Sequence, residues 1–470
     1  EKNMRSRGFA YDKIPHGDPR TYARLQKGET VGVFQLESPA QRALQSRLGS
    51  EVFEDLVASV ALIRPGPIKG DMVEPFIARR RGLEEVTYIH PKLEKILEKT
   101  YGVVLYQEQV IEIATEIAGF TPGESDRLRK VMTHFRSHKE MERIGEDFIA
   151  KAVANGVERG VAEVIFSYIV GYAGYGFCEA HAAAFADTAY RTAYLLEHHP
   201  AQFYAALLNQ QPMGFYPPNT LCVQARQRGI EILPLDINCS AVDFTADGST
   251  IRIGLKQVKG MEKAFLESIT AERRAAPFSS LEDFIYRTNV SRDVTENLIL
   301  GGAFDWFSPN RRQLLWYVPT YYQNKQGSLF LESAVETKVP DFPPLERWLR
   351  EYSVLSLSAD RHIMEFFRPK LSQAVLTSKE LSKRKEGHVQ VAGLVIRPHR
   401  PPTRSGRTVV FLTLEDEFGL VDVTIFENVY KRYGEVLFNS PLLQITGEIS
   451  ERDPNQITSV VAHRITSLVS

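Results

Sequence analysis

The sequence predicts a multidomain protein: a mostly α-helical first region, an α+β middle region, a linker with short helices and an all-β C-terminal barrel. Three observations carry that expectation. Apolar residues recur at helical spacing through the first half, whereas strict alternation takes over after His388. The chain has 470 residues, 43% of them hydrophobic and 24% charged. At roughly 100–200 residues per domain, that length suits several cores.

The first region, residues 1–235, opens its helices with recognisable signals. Pro91-Lys92-Leu93-Glu94-Lys95-Ile96-Leu97 starts on proline and spaces its apolar residues by three and four. Thr121-Pro122-Gly123-Glu124 has the form of a capping box, in which Glu124 reaches back to the cap while proline occupies the first helical position. A long helix is expected from about Ala182 to His198, stopping before Pro200. Gln211-Pro212-Met213-Gly214-Phe215-Tyr216-Pro217-Pro218 reads as a loop. In the middle region, residues 236–335, Ile251 to Leu255 looks like a strand and Val258-Lys259-Gly260-Met261-Glu262-Lys263 like a turn between helices. Residues 336–387 form the linker.

From residue 388 to 470 the short strands are Val389 to Ile396, Thr408 to Leu414, Val421 to Phe426 and Leu442 to Gly447, with a turn at Arg404-Ser405-Gly406-Arg407. Several short strands in about 80 residues indicate a small closed barrel, most economically a five-stranded OB-fold.

Composition narrows function. No uninterrupted apolar run approaches the ~18 residues of a membrane span. The start, Glu1-Lys2-Asn3-Met4-Arg5, has no apolar segment of a signal peptide, and the missing initiator methionine suggests a piece of something longer. Three scattered cysteines (Cys178, Cys222 and Cys239) fit a reducing cytoplasm rather than a disulfide framework. The net charge of −1 conceals local asymmetry. Arg64 to Arg81 holds five basic residues against two acidic ones, and Asp126 to Lys139 holds five against one.

Several passages then resemble a known family, the alpha subunit of bacterial DNA polymerase III. They are Val31-Gly32-Val33-Phe34-Gln35-Leu36-Glu37-Ser38, Phe53-Glu54-Asp55-Leu56-Val57-Ala58 with Arg64-Pro65-Gly66-Pro67-Ile68, Thr100 to Val110, and Tyr175-Gly176-Phe177 through His181-Ala182-Ala183-Ala184. They follow one another in family order. The resemblance implies a polymerase fingers region over 1–235, a helix-hairpin-helix and clamp-binding region over 236–335, and a nucleic-acid-binding OB-fold over 388–470. Cys178-Glu179-Ala180-His181 and Gln211 to Tyr216 lean toward the error-prone branch.

The same resemblance assigns candidate residues. Arg129 and Lys130 align with a basic pair that contacts the incoming triphosphate, and Tyr175 and His181 with residues on the nucleotide-facing side. Fixed cations beside phosphoryl oxygens offset the charge that spreads there during transfer. Lys130 stands where the family has arginine, which keeps the charge and loses the bidentate geometry. Gln326-Gly327-Ser328-Leu329-Phe330 resembles a sliding-clamp-binding pentapeptide, with Gln326, Leu329 and Phe330 as its anchors. Single-stranded template would be bound on the barrel by Arg397, Arg400, Arg404 and Arg407 with Phe411, and Phe426 and Tyr430 are further stacking candidates.

The family's two-metal chemistry uses Mg2+ held by paired palm carboxylates. The two passages closest to such a motif, Pro340-Asp341-Phe342 and Phe304-Asp305-Trp306, fall in the linker and the clamp-binding region, so no catalytic residue is assigned in this chain. The chain alone is accordingly expected to be inactive. Cys178 and His181 form one Cys-x-x-His pair without a second, too few ligands for a zinc site. Glu262 replaces the second glycine of a helix-hairpin-helix turn and puts negative charge where a phosphate would sit. Two functions remain open at this point: part of a DNA polymerase using DNA, deoxynucleoside triphosphate, clamp and other holoenzyme subunits, or a stand-alone nucleic-acid and clamp-binding module.

Overall fold

The computed structural model describes residues 9–63, 72–133, 138–172, 177–326, 338–400, 407–450 and 458–469, apart from the side chains at 133, 138 and 172. Of the candidate binding residues named above, Tyr175, Leu329, Phe330 and Arg404 lie outside the described residues, as do residues 64–71 and 134–137 of the two basic stretches. The contacts divide the chain into two compact units, one up to Glu197 and one from His198 onward.

The first unit is built of helices. Helix Pro39–Leu48 starts on Ser38, whose side chain accepts the Gln41 N–H, and stops at Gly49 with φ +63°, a conformation that a residue without Cβ adopts at no steric cost. The capping box at Thr121 is formed: its N–H donates to Glu124 Oε2 at 2.9 Å, and the Glu124 N–H donates back to Thr121 Oγ1 at 3.4 Å. Lys151 and Thr121 together hold the Glu124 carboxyl down at about 2, so the cap stays ionised at neutral pH. Helix Pro122–Thr133 follows, and its Leu128 is fully buried. It joins a core containing Ile113, Ile117, Phe120, Phe148, Phe166 and Ile169. Phe148 sits between Phe120 and Phe166, with ring centroids 5.9 and 5.4 Å away.

The long helix runs Glu179–His198, three residues earlier than the sequence reading placed it. The cause is a remote carboxylate: Glu108 accepts the Glu179 N–H with both oxygens, at 3.0 and 3.2 Å, and supplies the cap. The helix ends ahead of Pro200, which opens helix Pro200–Asn209.

The second unit begins with helices and a small sheet of β1 (Glu231–Leu233), β2 (Thr245–Asp247) and β3 (Thr250–Arg252), in the order β1-β3-β2. The expected strand at 251–255 is cut short at Arg252. A 3-10 turn takes over at Leu255–Gln257, where the chain passes so close to Asp243 that a Cβ on Gly254 would lie 2.4 Å from its carbonyl carbon. Four helices follow: Lys263–Ala275, Leu281–Arg287, Arg292–Leu300 and Arg311–Lys325.

Between residues 338 and 387 the chain is more than a connector. Trp348, Ile363, Met364 and Val375 form a core cluster with Ala392 and Leu442, and β4 (Val375–Leu376) pairs in parallel with Gln390 and Val391 of the strand that follows.

The C-terminal strands are β5 (His388–His399), β6 (Val409–Asp416), β7 (Gly419–Phe426), β8 (Leu442–Ile449) and β9 (Ser459–Ser467), with helix Glu427–Asn439 between β7 and β8. Their order β5-β6-β7-β9-β8 closes on itself through a β5–β8 pairing. This ring, with its helix after the third strand, is the OB-fold. Val410, Leu412, Leu414, Val423, Ile425 and Ile445 fill its interior. Among the described residues, no helix is long and apolar enough to cross a membrane.

Candidate nucleotide and nucleic-acid interfaces

In the first unit, helix Pro122–Thr133 places Asp126, Arg129 and Lys130 on one face, at spacings of three and four. Arg129 donates through Nε (3.1 Å) and Nη2 (2.8 Å) to Asp126 Oδ1, while Lys130 Nζ lies 2.8 Å from Asp126 Oδ2. Both cations remain substantially exposed, at 41% and 66%. Lys130 first, then Arg129, hold the Asp126 carboxyl below its ordinary range. One exposed carboxylate thus gathers two cations, an arrangement from which a more highly charged anion could recruit both.

His181 is exposed on the first turns of helix Glu179–His198. Its ring is flanked by Phe177 (5.0 Å, edge-on) and Phe185 (4.2 Å), and Phe185 in turn meets Phe34 at 5.3 Å. The Glu108 cap described above fixes the start of this helix, and the Gln107 N–H donates to the Phe177 carbonyl at 3.0 Å. Cys178 Sγ donates to Glu108 Oε1 at 3.0 Å, so it serves the same junction as a packed residue.

In the described part of the first basic run, Arg79 and Arg80 are committed to the protein itself. Arg80 donates two hydrogen bonds to the buried Asp55, at 2.6 and 2.7 Å. Arg79 bonds Glu84 and the Tyr101 carbonyl.

In the second unit the helix-hairpin-helix turn is held from within. The Lys259 N–H donates to the Val354 carbonyl, and the Lys259 carbonyl accepts from Asn297 Nδ2, both at 2.9 Å. Gly260 takes φ +80°, and Glu262 is the N-cap of helix Lys263–Ala275 without a side-chain cap bond. These bonds give the turn a structural role. Asp305 is bound by Arg311 and Arg347, and Asp341 also by Arg347, so both carboxylates serve ion pairs. Gln326 ends helix Arg311–Lys325 and is exposed.

The barrel gathers most of its assigned residues on one outward face. Along β6, Val410, Leu412 and Leu414 point into the core while Phe411 points out, 43% exposed. Cross-strand pairing sets His399, Phe411 and Thr424 in one row and Arg397, Thr413 and Asp422 in the next, with Val409 opposite Phe426. Phe426 is 47% exposed. Arg397 lies within β5, Arg400 directly follows its end, and Arg407 stands just before β6; all three are exposed. Arg397 lies over the Phe215 ring at 5.0 Å, and Arg400 over the Tyr430 ring at 5.6 Å. Tyr430 is half-buried, packed against the barrel core beneath Arg400, whereas Phe411 and Phe426 are exposed. The sequence reading missed Phe215 and His399 here, and Asp126 and Glu108 in the first unit.

Comparison with known proteins agrees with this layout. Residues 1–156 match the bacterial DNA polymerase III alpha subunit finger domain, residues 229–314 the helix-hairpin-helix motif, and residues 389–468 an OB-fold nucleic acid binding domain. The chain is 53% identical to an error-prone DNA polymerase of Symbiobacterium thermophilum, over 92% of this chain and 45% of that protein. It is 39% identical to one of Anaeromyxobacter dehalogenans strain 2CP-C (93% and 40%) and 36% identical to one of Bdellovibrio bacteriovorus (99% and 46%). The chain thus spans less than half the length of these relatives. Residues 1–156 are thus a bacterial DNA polymerase III alpha subunit finger domain, and the chain, matched along nearly its whole length, is similar to a finger, helix-hairpin-helix and OB-fold portion of these error-prone DNA polymerases.

Proposed function

We propose that this chain supplies the nucleotide-, template- and clamp-binding portion of a DNA-directed DNA polymerase of the error-prone type, acting in the cytoplasm in repair or replicative synthesis. The observation that carries the reading is the outward β5–β6–β7 face of the barrel, where Phe411 and Phe426 are exposed and Arg397 stands one row along from Phe411. Bases stack on the rings, and the exposed arginines track the phosphates, which makes binding tolerant of sequence and sensitive to salt.

Titration of the intact chain with a labelled single-stranded oligonucleotide tests this. Binding is expected at low salt and should fall as salt rises. Phe411→Ala with Phe426→Ala should weaken it at least tenfold, since base–aromatic stacking contributes about 1–3 kcal/mol per base. No binding at low salt, or an affinity indifferent to both substitutions, would refute the assignment.

In the finger unit, Arg129 and Lys130 hold the incoming triphosphate and His181 and Tyr175 border the nucleotide. Asp126 keeps both cations gathered until the substrate arrives. Mg2+ belongs to carboxylates outside these residues. The parent enzyme's nucleotidyl transfer therefore depends on this chain for charge and positioning rather than for metal ligands.

Gln326 marks the start of the clamp-binding segment that continues to Leu329 and Phe330, and other holoenzyme subunits are partners through the same family role. Two large apolar side chains entering a pocket give a contact of moderate strength, suited to a tether that must release. Leu329→Ala with Phe330→Ala should weaken clamp binding in a pull-down roughly tenfold or more. An unchanged affinity would place the contact elsewhere.

A further inference from the structure

Three neighbouring strands of the barrel wall bring two imidazoles and a carboxylate together away from the aromatic face. His388 on β5 stands directly opposite Glu448 on β8, with Nε2 3.1 Å from Oε1. His463 comes from β9, on the other side of β8. Its ring centroid is 6.2 Å from that of His388, and one ligand atom from each of the three residues lies within 4.8 Å of the others. All three are exposed.

The placement of His463 is a property of the backbone. Thr446 pairs with Arg464 and Gly447 with Ala462, so His463 is the extra residue of a β-bulge. The bulge requires glycine opposite it: a Cβ on Gly447 would lie 2.1 Å from the Val461 carbonyl oxygen. Sequence spacing gives no hint of this group, because its members come from three strands and only the ring closure of the barrel makes them neighbours.

We infer that His388, Glu448 and His463 form a site for a divalent transition-metal ion of the zinc type. Two neutral imidazoles with one carboxylate are a donor set that such ions favour and that Mg2+, which prefers all-oxygen ligands, does not. Ligand atoms in a tetrahedral zinc site stand about 3.3 Å apart, given metal–ligand distances of ~2.0–2.1 Å. The 3.1 Å separation of His388 and Glu448 already suits this, and His463 needs only a small side-chain rotation at the surface. Three protein ligands leave a position open for water or for a fourth donor. The ion would tie β5, β8 and β9 together at the end of the barrel where β5 begins, and would stabilise the folded chain by linkage.

The test uses the whole chain, stripped with chelator and titrated with Zn2+ by calorimetry, with thermal unfolding followed in parallel. The expected result is one saturable equivalent and a raised Tm. In the His388→Ala, His463→Ala double variant that equivalent should weaken at least a hundredfold, and the rise in Tm should disappear. Glu448→Gln, which preserves shape and should fold normally, should weaken binding roughly tenfold. Excess Mg2+ should not displace the zinc. Absence of saturable uptake, uptake unchanged in the double variant, or displacement by Mg2+ would leave only an exposed His388–Glu448 contact and overturn the site.

Discussion

Arg129→Ala in the full polymerase should lower kcat/KM for incoming nucleotide roughly 10- to 100-fold, the usual consequence of removing a charge-assisted contact to phosphate. Single-strand binding by the barrel should be untouched. The geometry explains why the effect is large: the guanidinium presents two donors to one oxygen of Asp126, a fork that a phosphate oxygen can occupy in its place. Lys130 carries the same charge on a flexible stem and cannot replace that fork, so Lys130→Ala should cost less. Steady-state nucleotide titrations on a fixed primer–template check both. Equal kcat/KM in wild type and Arg129→Ala would remove the finger assignment. A drop confined to the template's Kd would move Arg129 to the DNA.

Glu415→Ala should destabilise the barrel-bearing unit by roughly 2–4 kcal/mol, because truncation leaves two buried hydrogen-bonding groups without a partner at about 1–3 kcal/mol each. Glu415 is fully buried on the outer side of β6, where Oε1 accepts from Asn219 Nδ2 at 2.8 Å and meets His362 Nε2 at 3.1 Å. Asn219 belongs to helix Pro218–Gln227, and His362 to the segment preceding the barrel, so one carboxylate joins three stretches of chain. Truncation strands a buried amide and a buried imidazole together. Glu415→Gln keeps an acceptor for Asn219 and should cost clearly less. Urea unfolding followed by circular dichroism gives the comparison, and a midpoint unmoved by Glu415→Ala would show that the network carries no such weight.

What could be read in advance was local. The capping box at Thr121 and Glu124 lies within four residues, and the barrel strands announce themselves because core and solvent faces alternate with period two. The sequence left open which barrel aromatics face solvent; the structure answers for Phe411, which lies out of phase with the buried Val410, Leu412 and Leu414. Asp126 was also within reach, at helical spacing from Arg129 and Lys130. Contacts between distant residues were not. Glu108 caps a helix that begins 71 residues later, and Arg397 covers Phe215 from a different part of the second unit. Nothing near any of these residues encodes its partner. The early end of the strand at Arg252 likewise depends on the Asp243 backbone crossing Gly254, a tertiary contact that propensity does not see.

Primer extension offers the most direct test of the polymerase assignment. A primed template with all four deoxynucleotides and Mg2+ is incubated with this chain alone, and with the Symbiobacterium thermophilum relative in which this chain, joined to the rest of that protein, replaces the portion it matches. The account predicts no nucleotide added by the chain alone and extension by the joined protein, reduced when Arg129 is alanine. Extension by the chain alone would contradict it. So would a joined protein that folds, binds template and extends equally well with Arg129→Ala.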